Sequence, residues 1–282
     1  MVAFQIFWFS VYWYGIFYFI SFILLYLFLF LLWKKKIFQF SVWFHKILTT
    51  ELDTLMIFLL LWVLVWWRLG HFLIYSFDSL LANPFEFFQI WHWWMSFIWG
   101  ICGVVISLLI FKIKKHLSWN AFLILLDCLL IFDPVGIFLW RLWNYLNQEL
   151  YGIVFSNPWF SDNMVQFLES LNFLHVYPKI DHALRINTNL LSMIFEWCFI
   201  FILQMTFFFK MLKNKTFEIW KLTFVFVEFY SVFRFLFEYL RNDSQSEFIW
   251  IFTKSQRFFV FFFILGFVLF YSKNRKTLPL SL

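Results

Sequence analysis

Two short segments set ionisable side chains at helical spacing inside apolar runs. In DPVGIFLWRLWNYLNQELYG (133–152), Arg141, Asn144, Asn147 and Glu149 lie within or at the edge of such a run. In YSVFRFLFEYLR (230–241), Tyr230, Arg234, Glu238 and Arg241 follow at i, i+4, i+8 and i+11. An α-helix gathers those four within about 80° of one another. The same periodicity predicts that Arg141, Asn144, Glu149 and Gly152 share one helical face. Hydrocarbon penalises ionisable side chains, so such groups face a partner, a cavity or a substrate. Guanidinium forks match phosphate oxygens, and Arg141 and Arg234 supply two forks from different helices, which makes a phosphate-binding wall. The structural alternative is an Arg234–Glu238 ion pair that anchors its helix in a bundle.

Those groups must be held by membrane-spanning helices. Of the 282 residues, 63% are hydrophobic, 27% aromatic and 13% charged, and the mean hydropathy is +0.80. A soluble domain of this length needs far more polar surface. Runs of ~20 apolar residues, the length that crosses a bilayer, fall at 11–33, 54–75, 94–111, 119–140, 189–209, 222–240 and 257–272. The 48 Phe read as lipid-facing filler. Fourteen of the 22 Lys and Arg follow alternate spans: Lys34, Lys35, Lys36 and Lys46; Lys112, Lys114 and Lys115; Lys210, Lys213, Lys215 and Lys221; and Lys273, Arg275 and Lys276. The positive-inside rule puts these clusters in the cytoplasm, with the N-terminus outside and the C-terminus inside.

The expected fold is an all-α membrane protein, a seven-transmembrane-helix bundle forming one polytopic domain over 1–282. Residues 76–93 read as an interfacial arm, and 150–188, rich in Asn, Ser and Pro, as a small extracytoplasmic head. Residues 1–33 hold no Lys or Arg and no small-residue cleavage site, so the first span is expected to be retained. No internal repeat or matched pair of broken spans suggests a transporter.

Other polar residues carry weaker signals. Tyr14 suits an interfacial aromatic, and Arg68 a snorkelling arginine at the end of a span. Asp127 lies mid-span, either hydrogen-bonded within the bundle or paired with Arg141. His71 and His92 read as interfacial. Cys102, Cys128 and Cys198 lie in apolar segments without metal or redox spacing. The chain has no GxSxG, HExxH, Walker loop or clustered metal ligands. No cofactor or metal is therefore expected. The net charge of +6 sits in loop clusters, so nucleic acid is not an expected partner. Cations and amides inside a bilayer suit a lipid head group.

The chain resembles the bacterial prolipoprotein diacylglyceryl transferase family. RLWNYLNQELYG (141–152) is similar to the family's GRxGNFxNxExxG signature, with Asp127, Pro134 and Gly136 ahead of it. Tyr230, Arg234, Glu238 and Arg241 match a YGxFRFxxEFxR segment. FDSLLANPFEFFQIW (77–91) with MSF (95–97) is similar to the arm and its MSFHGG approach. WYG (13–15), RLG (68–70) and the Gln256 region agree with further positions, so the likeness runs from about 13 to 266.

The resemblance implies transfer of a diacylglyceryl group from phosphatidylglycerol to the lipobox cysteine thiol of a prolipoprotein signal peptide. A thioether forms and glycerol phosphate leaves, the first step of lipoprotein maturation. It also implies a multi-pass protein of the bacterial inner membrane, here expected as a monomer. Arg141 and Arg234 are the candidates for phosphate, with Glu149 and Glu238 orienting them and Tyr230 beside them. Tyr14, Asn144, Asn147, Gly152 and Arg241 are expected to bind substrate.

Some positions depart from the family. Ile98 follows Met95-Ser96-Phe97 where the family has histidine, Trp93 and Trp94 stand for glycines, and Trp143 and Gln148 replace glycines of the signature. HPSQLYE survives only as His182 in HALRINT. Three readings follow: His92 takes the proton instead, the arginines acidify the thiol unaided, or the chain is a non-catalytic lipid-binding homologue.

Overall fold

The computed structural model describes residues 2–6, 9–37, 42–88, 97–156, 159–243, 248–249, 251–272 and 277–279. It is predominantly helical. Four helices among the described residues are long and apolar enough to cross a membrane: Gly15–Lys34, Phe44–Leu73, Trp119–Asn147 and Thr188–Lys213. Ser255–Tyr271 is a shorter apolar helix. Two further expected spans are helical. α5 (Phe97–Lys114) has 18 residues. α11 (Lys221–Glu238) is as long but carries Lys221, Glu228, Arg234 and Glu238, so length and apolarity alone do not mark it as a span.

The chain forms two compact units, Leu29–Leu125 and the pairing of Met1–Phe28 with Leu126–Leu282. In the first, α3 (Leu52–Tyr75) packs on α5. A Cβ on Gly103 would lie 2.3 Å from Trp66 Cβ, so only glycine permits this approach. Leu55, Leu59 and Val63 are buried, whereas Ile57, Leu61 and Val65 form an exposed stripe on the same helix. Exposed aliphatic stripes of this kind suit lipid rather than water as solvent.

Arg68 belongs to this unit and does not snorkel. It is 2% exposed, its Nε donates to Phe87 O at 3.2 Å and its Nη2 to Glu86 O. Its guanidinium also covers the Phe72 ring at 4.8 Å. The arm turn Pro84–Phe88 is thereby clamped to α3 by carbonyls that a short 3₁₀ turn leaves without partners.

The second unit opens with a hairpin of β1 (Val2–Ile6) and β2 (Phe9–Tyr12) and continues into α1 (Trp13–Lys34) as far as Phe28, so the helix begins two residues later than expected. α6 (Trp119–Leu130) runs through a turn into α7 (Asp133–Asn147), with Pro134 in the first turn of α7, where its missing N–H does no harm. Asp127 settles its partner here. Its carboxylate accepts from Trp220 N at 2.6 Å and from Thr223 N and Oγ1 at 2.8 Å each. A side chain of α6 thus caps the start of α11, and no pairing with Arg141 is involved.

α7 ends earlier than the one-face expectation requires. Gln148 adopts φ 61° as the helix closes, with Gln148 N donating to Tyr145 O and Glu149 N to Asn144 O, a Schellman stop. Glu149 and Gly152 consequently leave the helix.

The described residues of 150–188 are folded. α8 (Asp162–Ser170) is capped by Ser161, and β3 (Leu174–Val176) pairs antiparallel with β4 (Leu184–Ile186). Asn187 joins the parts. Its Oδ1 accepts from Tyr177 Oη (3.1 Å) and Leu190 N (3.0 Å), and its Nδ2 donates to Asn172 O (2.9 Å).

Candidate functional site

Arg141 and Asn144 lie one turn apart on α7, 6% and 2% exposed. Arg234, Glu238 and Tyr230 line α11, at 7%, 1% and 8%. A third helix completes the cluster. Within Thr188–Lys213, residues Met193–Phe199 wind as a π-helix, and Glu196 at its centre is fully buried. Such bulges reorient side chains and recur at functional sites.

Glu196 stands between the two arginines. Its Oε2 is 3.7 Å from Arg141 Nη2 and its Oε1 3.7 Å from Arg234 Nη1. These are ion-pair separations, longer than hydrogen bonds. Glu238 Oε2 is held between Arg234 Nη2 (3.5 Å) and Arg241 Nη1 (3.3 Å). Arg241 also donates through Nε to Asp243 Oδ1 at 3.0 Å. The structure therefore contains the Arg234–Glu238 pair of the structural alternative, embedded in a larger network.

That network leaves donors over. Among the described residues, Arg141 Nε, Asn144 Nδ2, and Arg234 Nε and Nη1 are buried without a hydrogen-bond acceptor, and Glu196 Oε1 and Oε2 between the arginines are buried without a donor at hydrogen-bond distance. Buried polar groups are nearly always satisfied, so each exception requires an explanation. Guanidinium and amide N–H groups left over on two helices are donors of the kind that an oxyanion accepts from. Tyr230 packs among Ile200, Phe226 and Phe259, stacked on Phe226 at 5.3 Å, and Arg234 lies over the Phe259 ring at 5.6 Å. This apolar wall covers one side of the Arg234 guanidinium, and a low-dielectric surrounding strengthens its field.

Several expected residues stand elsewhere. Glu149 is exposed, and its Oε1 accepts from Asn147 Nδ2 at 3.1 Å. The carboxylate beside Arg141 is that of Glu196, because α7 stops before Glu149. Gly152 sits in a backbone junction: its N donates to Ile186 O at 3.1 Å, and a Cβ would come within 2.3 Å of that same oxygen. The close approach of three backbone segments explains the glycine. Tyr14 opens α1, its side chain outside those described; Ile98 lies in α5 under the same limit. His92 falls outside the described residues. His182 is exposed.

Sequence reasoning missed Glu196 and the run 187–189. A lone carboxylate in MIFEWCF, inside an expected span, is itself the signal that points to Glu196. Thr188 Oγ1 donates to Leu150 O at 2.8 Å and Asn189 Nδ2 to Glu149 O at 2.9 Å. These bonds fix the backbone leaving α7 to the start of the helix that carries Glu196. Among the described residues no group of His, Cys, Asp and Glu is arranged to hold a metal ion.

A family model described as prolipoprotein diacylglyceryl transferase matches residues 1–272. The phosphatidylglycerol–prolipoprotein diacylglyceryl transferase of Coxiella burnetii (strain Dugway 5J108-111) is 28% identical over 214 residues, covering 74% of this chain and 73% of the relative. The protein of the same name from Blochmanniella floridana is 29% identical over 226 residues, covering 73% and 77%. With the match extending over nearly its whole length, the chain belongs to the prolipoprotein diacylglyceryl transferase family.

Proposed function

We propose that this chain transfers the diacylglyceryl group of phosphatidylglycerol to the lipobox cysteine thiol of prolipoproteins. The observation that carries the reading is the set of buried, acceptor-free donors on Arg141, Asn144 and Arg234. In the transfer, a cysteine thiolate attacks the glyceryl carbon that bears the phosphate ester. The S–C bond forms as the C–O bond breaks, and the electron pair leaves on glycerol phosphate. Arg141 and Arg234 take up the charge that develops on the departing phosphate. Glu196 and Glu238 hold the guanidiniums in place, and Asn144 and Tyr14 hold the glycerol head or the ester carbonyls. The thiol proton passes to an acceptor, with His92 as the candidate in place of the histidine that Ile98 replaces.

The surrounding architecture in this reading is a seven-helix bundle of the bacterial inner membrane. α5 and α11 complete the spans, the N-terminus and the 150–188 head lie outside, and the chain works as a monomer. A protection assay placing 150–188 on the cytoplasmic side contradicts that topology. Ile98 favours a second reading, a non-catalytic lipid-binding homologue.

Membranes holding the protein, given phosphatidylglycerol and a lipobox peptide, are expected to yield a peptide carrying a thioether-linked diacylglyceryl group. No product under conditions where a histidine-containing relative works selects the second reading.

A further inference from the structure

A cationic site of different construction lies in the Leu29–Leu125 unit. Trp33, Lys34, Lys36 and His45 line a cavity of about 290 Å³. Lys34 closes the helix Gly15–Lys34, whose 20 residues rise roughly 30 Å, the thickness of a hydrocarbon core. His45 stands one residue into the helix Phe44–Leu73. Both ends therefore meet at the depth of phospholipid phosphates.

The two lysines that line the cavity carry charge of one sign. Residues 33–46 (WKKKIFQFSVWFHK) contain no carboxylate, and among the described residues no ion pair engages Lys34, Lys36 or His45. Trp33 packs on Phe30 at 5.1 Å, which holds its indole at the rim, where tryptophan prefers to lie. The exposed Leu31 below offers an apolar surface toward the bilayer.

The turn places Lys36 at φ 57°. Lys36 N donates to Trp33 O at 2.9 Å and Ile37 N to Leu32 O at 3.3 Å, a Schellman stop in which glycine is the unstrained residue. α5 ends in the same way at His116, φ 51°. The left-handed backbone is thus a habit of this chain and not the signal; cavity, charge and depth are.

We propose that this cavity binds the phosphodiester of an anionic phospholipid from the lysine-rich leaflet. Lys34 and Lys36 pair with the phosphate, His45 contributes a ring N–H, and an acyl chain lies against Leu31. The site shares no residue with the arginine cluster and does not depend on the transferase reading.

The test is lipid retention by the purified full chain, read by native mass spectrometry after exchange into equal phosphatidylserine and phosphatidylcholine. One lysine near a membrane surface contributes about fivefold in anionic preference. Lys36→Gly suits the left-handed backbone, so the fold is kept while the preference falls about fivefold; adding Lys34→Gln removes the remainder. His116→Gly, which relieves the same backbone away from the cavity, leaves the preference unchanged. The same losses are expected in an Arg234→Ala background, which separates this site from the arginine cluster. Equal preference in the wild type and the double lysine variant overturns the proposal. Displacement of the lipid by excess inorganic phosphate assigns the site to free phosphate and overturns the lipid source.

Discussion

Arg185 and the pair Arg141–Arg234 are all buried arginines of one structural unit, yet their surroundings differ in kind. Arg185 is saturated. Its Nε donates to Asp181 Oδ1 at 3.2 Å and its Nη2 to Asp181 Oδ2, while Nη1 donates to Gly152 O at 3.1 Å and Asn242 Oδ1 at 3.4 Å. Its guanidinium also covers the Tyr151 ring at 4.9 Å. Arg141 and Arg234 have carboxylates at 3.5–3.7 Å and several N–H groups without acceptors. A saturated arginine holds a fold together. In the proposed function, an unsaturated one in a dry site is held ready for an anion from outside the chain.

Substitutions at five positions test that contrast. Arg234→Ala, and equally Arg141→Ala, is expected to lower transfer by at least ~100-fold, the usual effect of losing a donor to a developing oxyanion. Arg234→Lys should rescue little, because an ammonium does not reproduce the fork. Glu196→Gln keeps the shape but removes the charge between the arginines. Transfer should fall by roughly 10-fold, mainly in kcat, with protein recovered in normal yield. Rates equal to wild type would show that Glu196 does not position the forks.

Arg185→Ala should behave in the opposite way, lowering stability by roughly 2 kcal/mol while leaving transfer per folded molecule unchanged. Denaturation midpoints and rates measured together separate the two effects. This variant also has a pH signature. The Arg185 guanidinium, hydrogen-bonded to Asp181, holds that carboxyl below its ordinary value. The stabilisation is therefore full above the unfolded carboxylate value of about 3.9 and is lost as pH falls through the depressed one. Arg185→Ala should lose that part of the acid sensitivity. The smallest expected effect is that of Arg68→Ala, which frees the arm turn from α3 and should reduce transfer far less than Arg234→Ala. Equal, mild effects at both positions would show the phosphate site to be misplaced.

The contrast was half legible in the sequence. Helical periodicity places Tyr230, Arg234 and Glu238 along α11, and nothing non-local was needed to see it. The other helix was harder, because the usual sign of a helix end is missing. Glycine normally marks the left-handed residue after a helix, and here that residue is Gln148, so the pattern reads on to Glu149 and Gly152. Gln148 uses its side chain instead: its Oε1 accepts from Lys179 N at 2.8 Å. Glu196 owes its aim to a π-helical segment, which no hydrophobic period reveals. Asp127 caps a helix that begins more than 90 positions downstream, a relation that local pattern does not carry.

The account stands or falls on one paired measurement: initial rates of diacylglyceryl transfer to a lipobox peptide from phosphatidylglycerol, for Arg234→Ala and Arg185→Ala, each corrected for folded protein. The expected result is a loss of at least ~100-fold for Arg234→Ala and a wild-type rate for Arg185→Ala. A wild-type rate for Arg234→Ala, or equal losses in the two, would contradict it.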